Sequence, residues 1–376
     1  MKRREFLLST AAAATLVRTG MARAAEKAGY PESRYAKAMV IDGLGGPGGF
    51  HPDLPDDAPL TGGDIADVRL SGVTAVNITI NDVGNGPDRF EKTIRAIALI
   101  ERELAAHPDV FLKVLRGADL AAARDSHRMG LIFGCQDTSM LEGDLARLGV
   151  FHGLGLRIAQ PTYNLRNLMG DGCLEEADGG LSRLGYEFIS EVNRLRIVLD
   201  LSHAGRKVIS QGIQASKAPM AITHTGCRAL VDLPRNTDDT SLKALADRGG
   251  VAGIYFMPFL RASGQPHAED LIRHLEHAVN VCGEDHVGLG TDGTLSGIEI
   301  NDAFRDSVRK FVEARRKAGI SAPGESPDVV NLVPEYNEPR RFLKLADDLA
   351  KRGWSSARIE KILGANFARL FAEVWG

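Results

Sequence analysis

Beyond its first two dozen residues the chain has no run of about 20 apolar residues, so nothing in the remainder can span a bilayer as a single helix. It also has no block of basic residues interleaved with aromatics, which argues against nucleic acid as a partner. Internal repeats, linkers and low-complexity stretches are missing, apart from a Gly/Pro-rich loop from Gly43 to Gly63. Cysteine is scarce: Cys135, Cys173, Cys227 and Cys282 are the four in 376 residues. Four cysteines allow about three full pairings in an oxidising compartment, and spacing cannot choose among them. Cys135, Cys227 and Cys282 sit in or beside apolar segments, where buried free thiols are expected.

What is present begins with an address. Lys2, Arg3 and Arg4 precede an apolar run from Phe6 to Val17, and Ala22-Arg23-Ala24 supplies a small-x-small cleavage site. This is a signal peptide over residues 1–24. Adjacent arginines followed by Glu5-Phe6-Leu7 look like the twin-arginine class. The expected location is therefore the periplasm, with the mature chain starting near Ala25. Removing those residues takes away five basic groups and one acid, leaving 41 basic against 48 acidic residues, a balance of −7. A hydrophobic fraction of 44% and a charged fraction of 25% are ordinary for a globular protein.

Apolar runs of strand length alternate with amphipathic runs of helix length. The former are Met39–Asp42, Val73–Ile80, Leu131–Cys135, Leu154–Ala159, Ile197–Leu201, Met220–Thr223, Val251–Phe256 and Val287–Gly290. Most are rich in Val, Ile and Leu without polar alternation, as in strands buried on both faces. Helical patterns lie between them, as at Phe90–His107, Leu184–Leu195, Lys243–Arg248 and Asp270–Cys282. Eight such pairs predict a (β/α)₈ TIM barrel occupying residues 25–376 as one domain. Val110–Leu115 is a candidate ninth strand at an edge outside the barrel. Additional C-terminal helices are expected at Arg340–Lys351 and after a serine cap at Ser355-Ser356.

Active sites of such barrels lie at the C-terminal ends of the strands. Strand five runs out in Asp200-Leu201-Ser202-His203, strand six in Thr223-His224, and strand eight in Gly290-Thr291-Asp292. A lone histidine in such a place is most often a hydrogen-bonded structural residue. Two on adjacent strands, with an acid two strands on, point to a metal or catalytic site.

These segments, with Thr225-Gly226-Cys227-Arg228-Ala229-Leu230, Arg235-Asn236, Gln160-Pro161-Thr162-Tyr163-Asn164, Gly170-Asp171-Gly172-Cys173 and Gly364-Ala365-Asn366-Phe367, resemble the membrane (renal) dipeptidases. The resemblance runs from about Met39 to Phe371; each motif is weak alone, and their order and spacing are specific. It implies a barrel with two zinc ions that hydrolyses dipeptides, including ones with a D-residue at the C-terminal position. It further implies that His203 and His224 hold the second zinc, that Asp292 sits on the first and handles the catalytic proton, and that Arg235 holds the substrate carboxylate.

The departures from that family are specific. Its first strand ends Asp-Gly-His-x-Asp, whereas this chain reads Asp42-Gly43-Leu44-Gly45-Gly46. Its bridging glutamate follows strand three, where this chain has Gln136, a neutral amide and a poor bridge between two dications. Tyr163 replaces a histidine beside the reacting carbonyl. His51 and Asp53 of the long loop form a His-x-Asp that could restore the first site by folding back. Asp42 is expected to make structural hydrogen bonds, and Asp137 to be solvated or to cap.

The expectation is a dipeptidase-like hydrolase with one zinc on His203 and His224, helped by Gln136 or Asp292, or with no metal at all. Asp292 is then the general base, Tyr163 the oxyanion donor, and Arg235 and Asn164 the groups that hold a small peptide or carboxylate substrate. The competing expectation is a non-catalytic binding protein for small peptides or carboxylates that kept the pocket. Sequence sets neither reading apart nor the oligomeric state, for which a homodimer is compatible.

Overall fold

A computed structural model describes residues 29–376 except 56 and 85. The signal peptide expected at residues 1–24 lies outside the described residues.

Eight parallel strands form the barrel wall: β1 (Ile41–Asp42), β2 (Ala75–Thr79), β3 (Met129–Cys135), β4 (Leu156–Ala159), β5 (Val198–Leu199), β6 (Ala221–Thr225), β7 (Val251–Ile254) and β8 (Val287–Leu289). Their order is β5-β4-β3-β2-β1-β8-β7-β6. A parallel bridge between Asp200 and Ala221 joins β5 to β6, where Leu201 N–H donates to the Ala221 carbonyl at 2.8 Å. That bridge closes the wall. Each strand lies within one of the eight expected runs or overlaps it by most of its length, because both faces are buried and apolar residues need not alternate.

The candidate ninth strand forms as Phe111–Lys113, but it is not an outer edge. It pairs with the first half of β3, on the side opposite β2, and β4 pairs with the second half of that same side. The short segment thus sits in the wall below β4. Its Lys113 ammonium donates to the Leu154 carbonyl at 2.7 Å.

The last helix, Asn366–Trp375, plugs the N-terminal end of the barrel. Phe367, Leu370, Phe371, Val374 and Trp375 pack with Ile41, Ala75, Ile132, Ile158, Val198, Ala221 and Val251, one residue from each of seven strands. Glycines make room for the plug: a Cβ on Gly288 would lie 2.5 Å from the Phe367 ring. Ser355 caps the preceding turn by accepting from Arg358 N–H at 3.2 Å, as its position promised. Glu360, in the same turn, accepts from Tyr30 and Arg34.

Above the mouth, the helix Asp302–Lys317 packs Phe304, Val308 and Val312 on a small apolar cluster of its own, separate from the barrel core. The four cysteines are free thiols; Cys135, Cys227 and Cys282 are buried. No helix among the described residues is long and apolar enough to cross a membrane.

Candidate active site

The site is assembled by loops that leave β4, β5, β6 and β8. His203 and Asp292 both adopt left-handed backbone, with φ of 62° and 57°. Such conformations are uncommon outside glycine, although His and Asp tolerate them better than most residues. They turn the chain sharply at the strand ends.

His203 is buried and bonded through both ring nitrogens. Nδ1 meets Asn164 Oδ1 at 2.6 Å and Nε2 meets Arg235 Nη2 at 3.1 Å. The Asn164 amide nitrogen donates to the Ile320 carbonyl at 2.8 Å, which fixes its oxygen toward the ring. Because a guanidinium can only donate, Nε2 is the acceptor and Nδ1 carries the proton. The Tyr163 ring stacks on the imidazole at 4.0 Å between centroids. Burial, then the charge of Arg235, pushes the His203 pKa well below its ordinary value, so the ring is neutral.

His224 is held differently. Asp200 accepts from Gln160 Nε2, from Ser202 N–H and Oγ–H, and from Thr223 N–H and Oγ–H. With its hydroxyl hydrogen on Asp200, Thr223 Oγ1 must accept from His224 Nδ1 at 2.9 Å. The lone pair of His224 is therefore on Nε2, a buried atom with no partner among the described residues. Its pKa is also pushed well below the ordinary value, first by burial and then by Arg235. A neutral, oriented imidazole with an open nitrogen is what a metal or a proton donor would meet.

Asp292 accepts no hydrogen bond among the described residues and is only partly buried. Burial raises its pKa to about 6, against the lowering influence of Arg235 and Arg315. Arg235 is 3% exposed, with the Tyr255 and Phe259 rings 5.8 and 5.9 Å from its guanidinium carbon. It forms no salt bridge among the described residues. A cavity of about 430 Å³ opens beside Arg235 and His203, between the loops after β4, β5 and β6; His224 and Asp292 lie outside its lining.

The remaining sequence candidates fall into place less uniformly. Gln136 is half-buried, and its amide nitrogen donates to Thr79 Oγ1 at 2.9 Å, leaving the amide oxygen open. Tyr163 accepts from Arg315 Nη1 at 3.2 Å, which frees its own hydrogen for another acceptor. Asn164 is buried with both ends of its amide used inside the protein, and it orients His203. His51 does not fold back into the mouth; it pairs with Asp64 at 2.8 Å, and Asp53 is exposed. Asp42 makes structural bonds to Thr291 N–H and Oγ–H at 2.7 and 2.6 Å. Asp137 is buried and caps, accepting from Asn81, Gly84 and Ser139.

Two residues escaped the sequence reading. Arg315, from the helix above the mouth, forms a two-pronged ion pair with Glu325 at 2.8 Å on each arm and reaches Tyr163. Neither lies at a strand end or in any motif, so no pattern marked them.

Among the described residues no three His, Cys, Asp or Glu side chains come together to hold a metal ion. The donor set is poor for two ions: Leu44 and Gly46 bring no donor side chain, and Gln136 is a neutral amide. One ion fits in part: His224 Nε2 is open, Gln136 has a free oxygen, and His203 Nε2 is available only when Arg235 leaves it.

A closed parallel barrel with imidazoles and a carboxylate at its C-terminal mouth defines a hydrolase-type active site. The chain belongs to the membrane dipeptidase family, peptidase family M19, whose profile matches residues 63–311. It is 28% identical over 288 residues to an uncharacterized protein in the pqqA 5′ region of Klebsiella pneumoniae, covering 73% of this chain and 94% of that one. With Dipeptidase tcpJ of Claviceps purpurea it shares 27% identity over 75% of this chain, but only 60% of the relative's length. An amidohydrolase structure from Pseudomonas aeruginosa superposes with a TM-score of 0.78 at 30% identity, covering 92% and 98% of the two chains. A metallo peptidase from Rhodobacter sphaeroides, liganded with a phosphinate mimic of L-Ala-D-Ala, has the same fold with a TM-score of 0.73 at 20% identity, covering 90% of this chain and 100% of that one.

Proposed function

We propose that this chain is an exported dipeptidase-family hydrolase that cleaves a peptide or other amide bond in a small substrate bearing a free carboxylate. Arg235 carries the reading. It is a buried guanidinium with no carboxylate within 4 Å among the described residues, near enough to His224 and Asp292 to act on their charge, and it lines a cavity of about 430 Å³. A buried charge left unpaired is costly, and a ligand carboxylate would satisfy it through two parallel hydrogen bonds.

Arg235 anchors the carboxylate and so fixes the scissile carbonyl near the histidines. Asp292, open and raised toward neutrality, takes the proton from the attacking water and returns it to the leaving nitrogen. Tyr163 donates its free hydrogen to the carbonyl oxygen as charge develops there. His203, His224 and Gln136 would hold one zinc ion, which when bound polarises a carbonyl and acidifies water. The Arg235–His203 contact and zinc on His203 exclude each other, because one lone pair cannot serve both.

The test is a hydrolysis screen of dipeptides and their C-terminally amidated forms, with and without added zinc, on protein whose metal content is known. Turnover of acids and not of amides is expected. Equal treatment of the two forms would remove the role given to Arg235. The periplasmic part of the proposal rests on Arg3-Arg4-Glu5-Phe6-Leu7 and Ala22-Arg23-Ala24. Changing Arg3 and Arg4 to Lys should leave precursor in the cytoplasm, and undisturbed export would refute that route.

A further inference from the structure

We infer that the residue released on cleavage, the one whose carboxylate Arg235 holds, carries a long basic side chain such as that of lysine. The inference rests on reading Arg235 as the carboxylate anchor. Arg235 is 3% exposed and, beyond His203, its guanidinium meets no nitrogen or oxygen acceptor among the described residues. It lines the cavity of about 430 Å³, a volume within the range of small-molecule sites. His203 lines the same cavity, whereas His224 and Asp292 do not. A substrate with its carboxylate on Arg235 and its scissile bond toward His224 and Asp292 therefore turns the side chain of its carboxylate-bearing residue into this space.

Part of the lining is acidic. Glu175, Glu176 and Asp178 belong to the loop after β4, which is pinned along the loop after β5. Cys173 N–H donates to the His203 carbonyl at 2.7 Å, and Gly205 N–H to the Asp171 carbonyl at 2.9 Å. Among the described residues the side chain of Glu175 accepts only from the backbone N–H of Arg166, and that of Asp178 only from the backbone N–H of Lys207. Glu176 has no side-chain partner there, and no Lys or Arg side chain pairs with any of the three. The other arginines of the lining are taken, Arg206 by Asp238 and Arg228 by Asp232. One unmatched buried cation thus shares a cavity with three carboxylates that lack a counter-charge. A ligand with a carboxylate and an outlying cation complements both. Glu176 follows Cys173 by three residues, so its Cα lies at most about 11 Å from that of the residue bonded to His203, a span suited to a long side chain.

The matched probes are alanyl-lysine and alanyl-norleucine, in which hydrogen replaces the side-chain ammonium, each with its C-terminal residue as L and as D. Calorimetry at low salt, on protein of known metal content, reads binding directly and turnover as a continuing heat. Alanyl-lysine should be preferred by at least about fivefold in affinity or in kcat/KM. The preference should vanish in the triple variant Glu175→Gln, Glu176→Gln, Asp178→Asn, whose amide oxygens still accept from Arg166 and Lys207 N–H. Equal binding of the two probes by the wild type, or a preference that survives the triple substitution, overturns the inference but leaves the carboxylate reading standing. A folded triple variant that loses both probes alike would place their shared α-ammonium on these acids, which also overturns it. Should the triple variant not fold, Glu176→Gln alone decides: the exposed Glu176 has no contact to lose, and an undiminished preference there is refutation. If neither probe binds or reacts, the carboxylate reading falls and the inference with it.

Discussion

Arg235 donates from Nη2 to Nε2 of His203 at 3.1 Å, so a fixed cation occupies the lone pair that a metal ion would otherwise take. The imidazole cannot turn away, because Nδ1 is held by Asn164 and the ring is stacked on Tyr163.

Removing the guanidinium should therefore separate two properties. Arg235→Leu is expected to bind zinc more tightly, since it frees the lone pair and deletes a neighbouring positive charge. The same variant should lose carboxylate affinity by about 1.5–3 kcal/mol, roughly 10- to 150-fold. Zinc titration and ligand calorimetry on one preparation check both; unchanged zinc affinity would show that the contact does not gate the metal.

A second metal should be recoverable by substitution. A Cβ on Gly46 meets nothing within 4 Å, so a side chain there has room. The triple variant Leu44→His, Gly46→Asp, Gln136→Glu supplies one imidazole and two carboxylates to the mouth. Metal analysis is expected to rise from at most one ion per chain to two. A stoichiometry that stays at one would mean that β1 does not present these positions to the site.

Hydrolysis should depend on Asp292 being ionised. Burial raises its pKa to about 6, so kcat/KM is expected to climb as pH rises through about 6 and to level off above it. Asp292→Asn should lose most activity together with that inflection. An inflection that persists in the residual rate of the variant would assign it to another group.

Asp42 gives stability the opposite slope. Its carboxyl is pushed up to about 7 by burial, partly offset by the hydrogen bonds from Thr291. An acid whose folded pKa exceeds its unfolded value holds its proton better in the native state, so stability falls as pH rises from about 4 to 7. The contribution is on the order of 4 kcal/mol at most. Asp42→Asn should flatten this part of the profile in denaturant unfolding, because a neutral amide still accepts from Thr291 N–H. A slope that survives the substitution would locate the effect elsewhere.

The plug at the base of the barrel should be sensitive to truncation. Phe367→Ala empties space shared with Gly43, Gly253 and Gly288 and should cost about 3–5 kcal/mol. Thermal or denaturant unfolding measures it. A loss under about 1 kcal/mol would mean that the barrel collapses onto the gap.

The eight strands were legible because burial on both faces writes a run of Val, Ile and Leu that needs no partner to be recognised. Their polar endings were legible for the same reason: His203, His224 and Asp292 stand out where an apolar run stops. Sequence alone thus determined the barrel and the mouth at which chemistry can occur.

What it could not determine was the pairing of groups that approach from distant parts of the chain. Arg235 and His203 are 32 residues apart, and Arg315 and Tyr163 are separated by 152. Tyr163 and Asn164 were marked, but only packing assigned Asn164 to His203 and gave Tyr163 a cation. His51 chose Asp64 because a helix-capping carboxylate lay within reach of its loop. Hydrogen bonds and ion pairs act over a few ångströms, with no periodicity along the chain to announce them. The tautomers of both histidines, the pairing of Glu325 and the open carboxylate of Asp292 were therefore decided only when the barrel closed and its loops met.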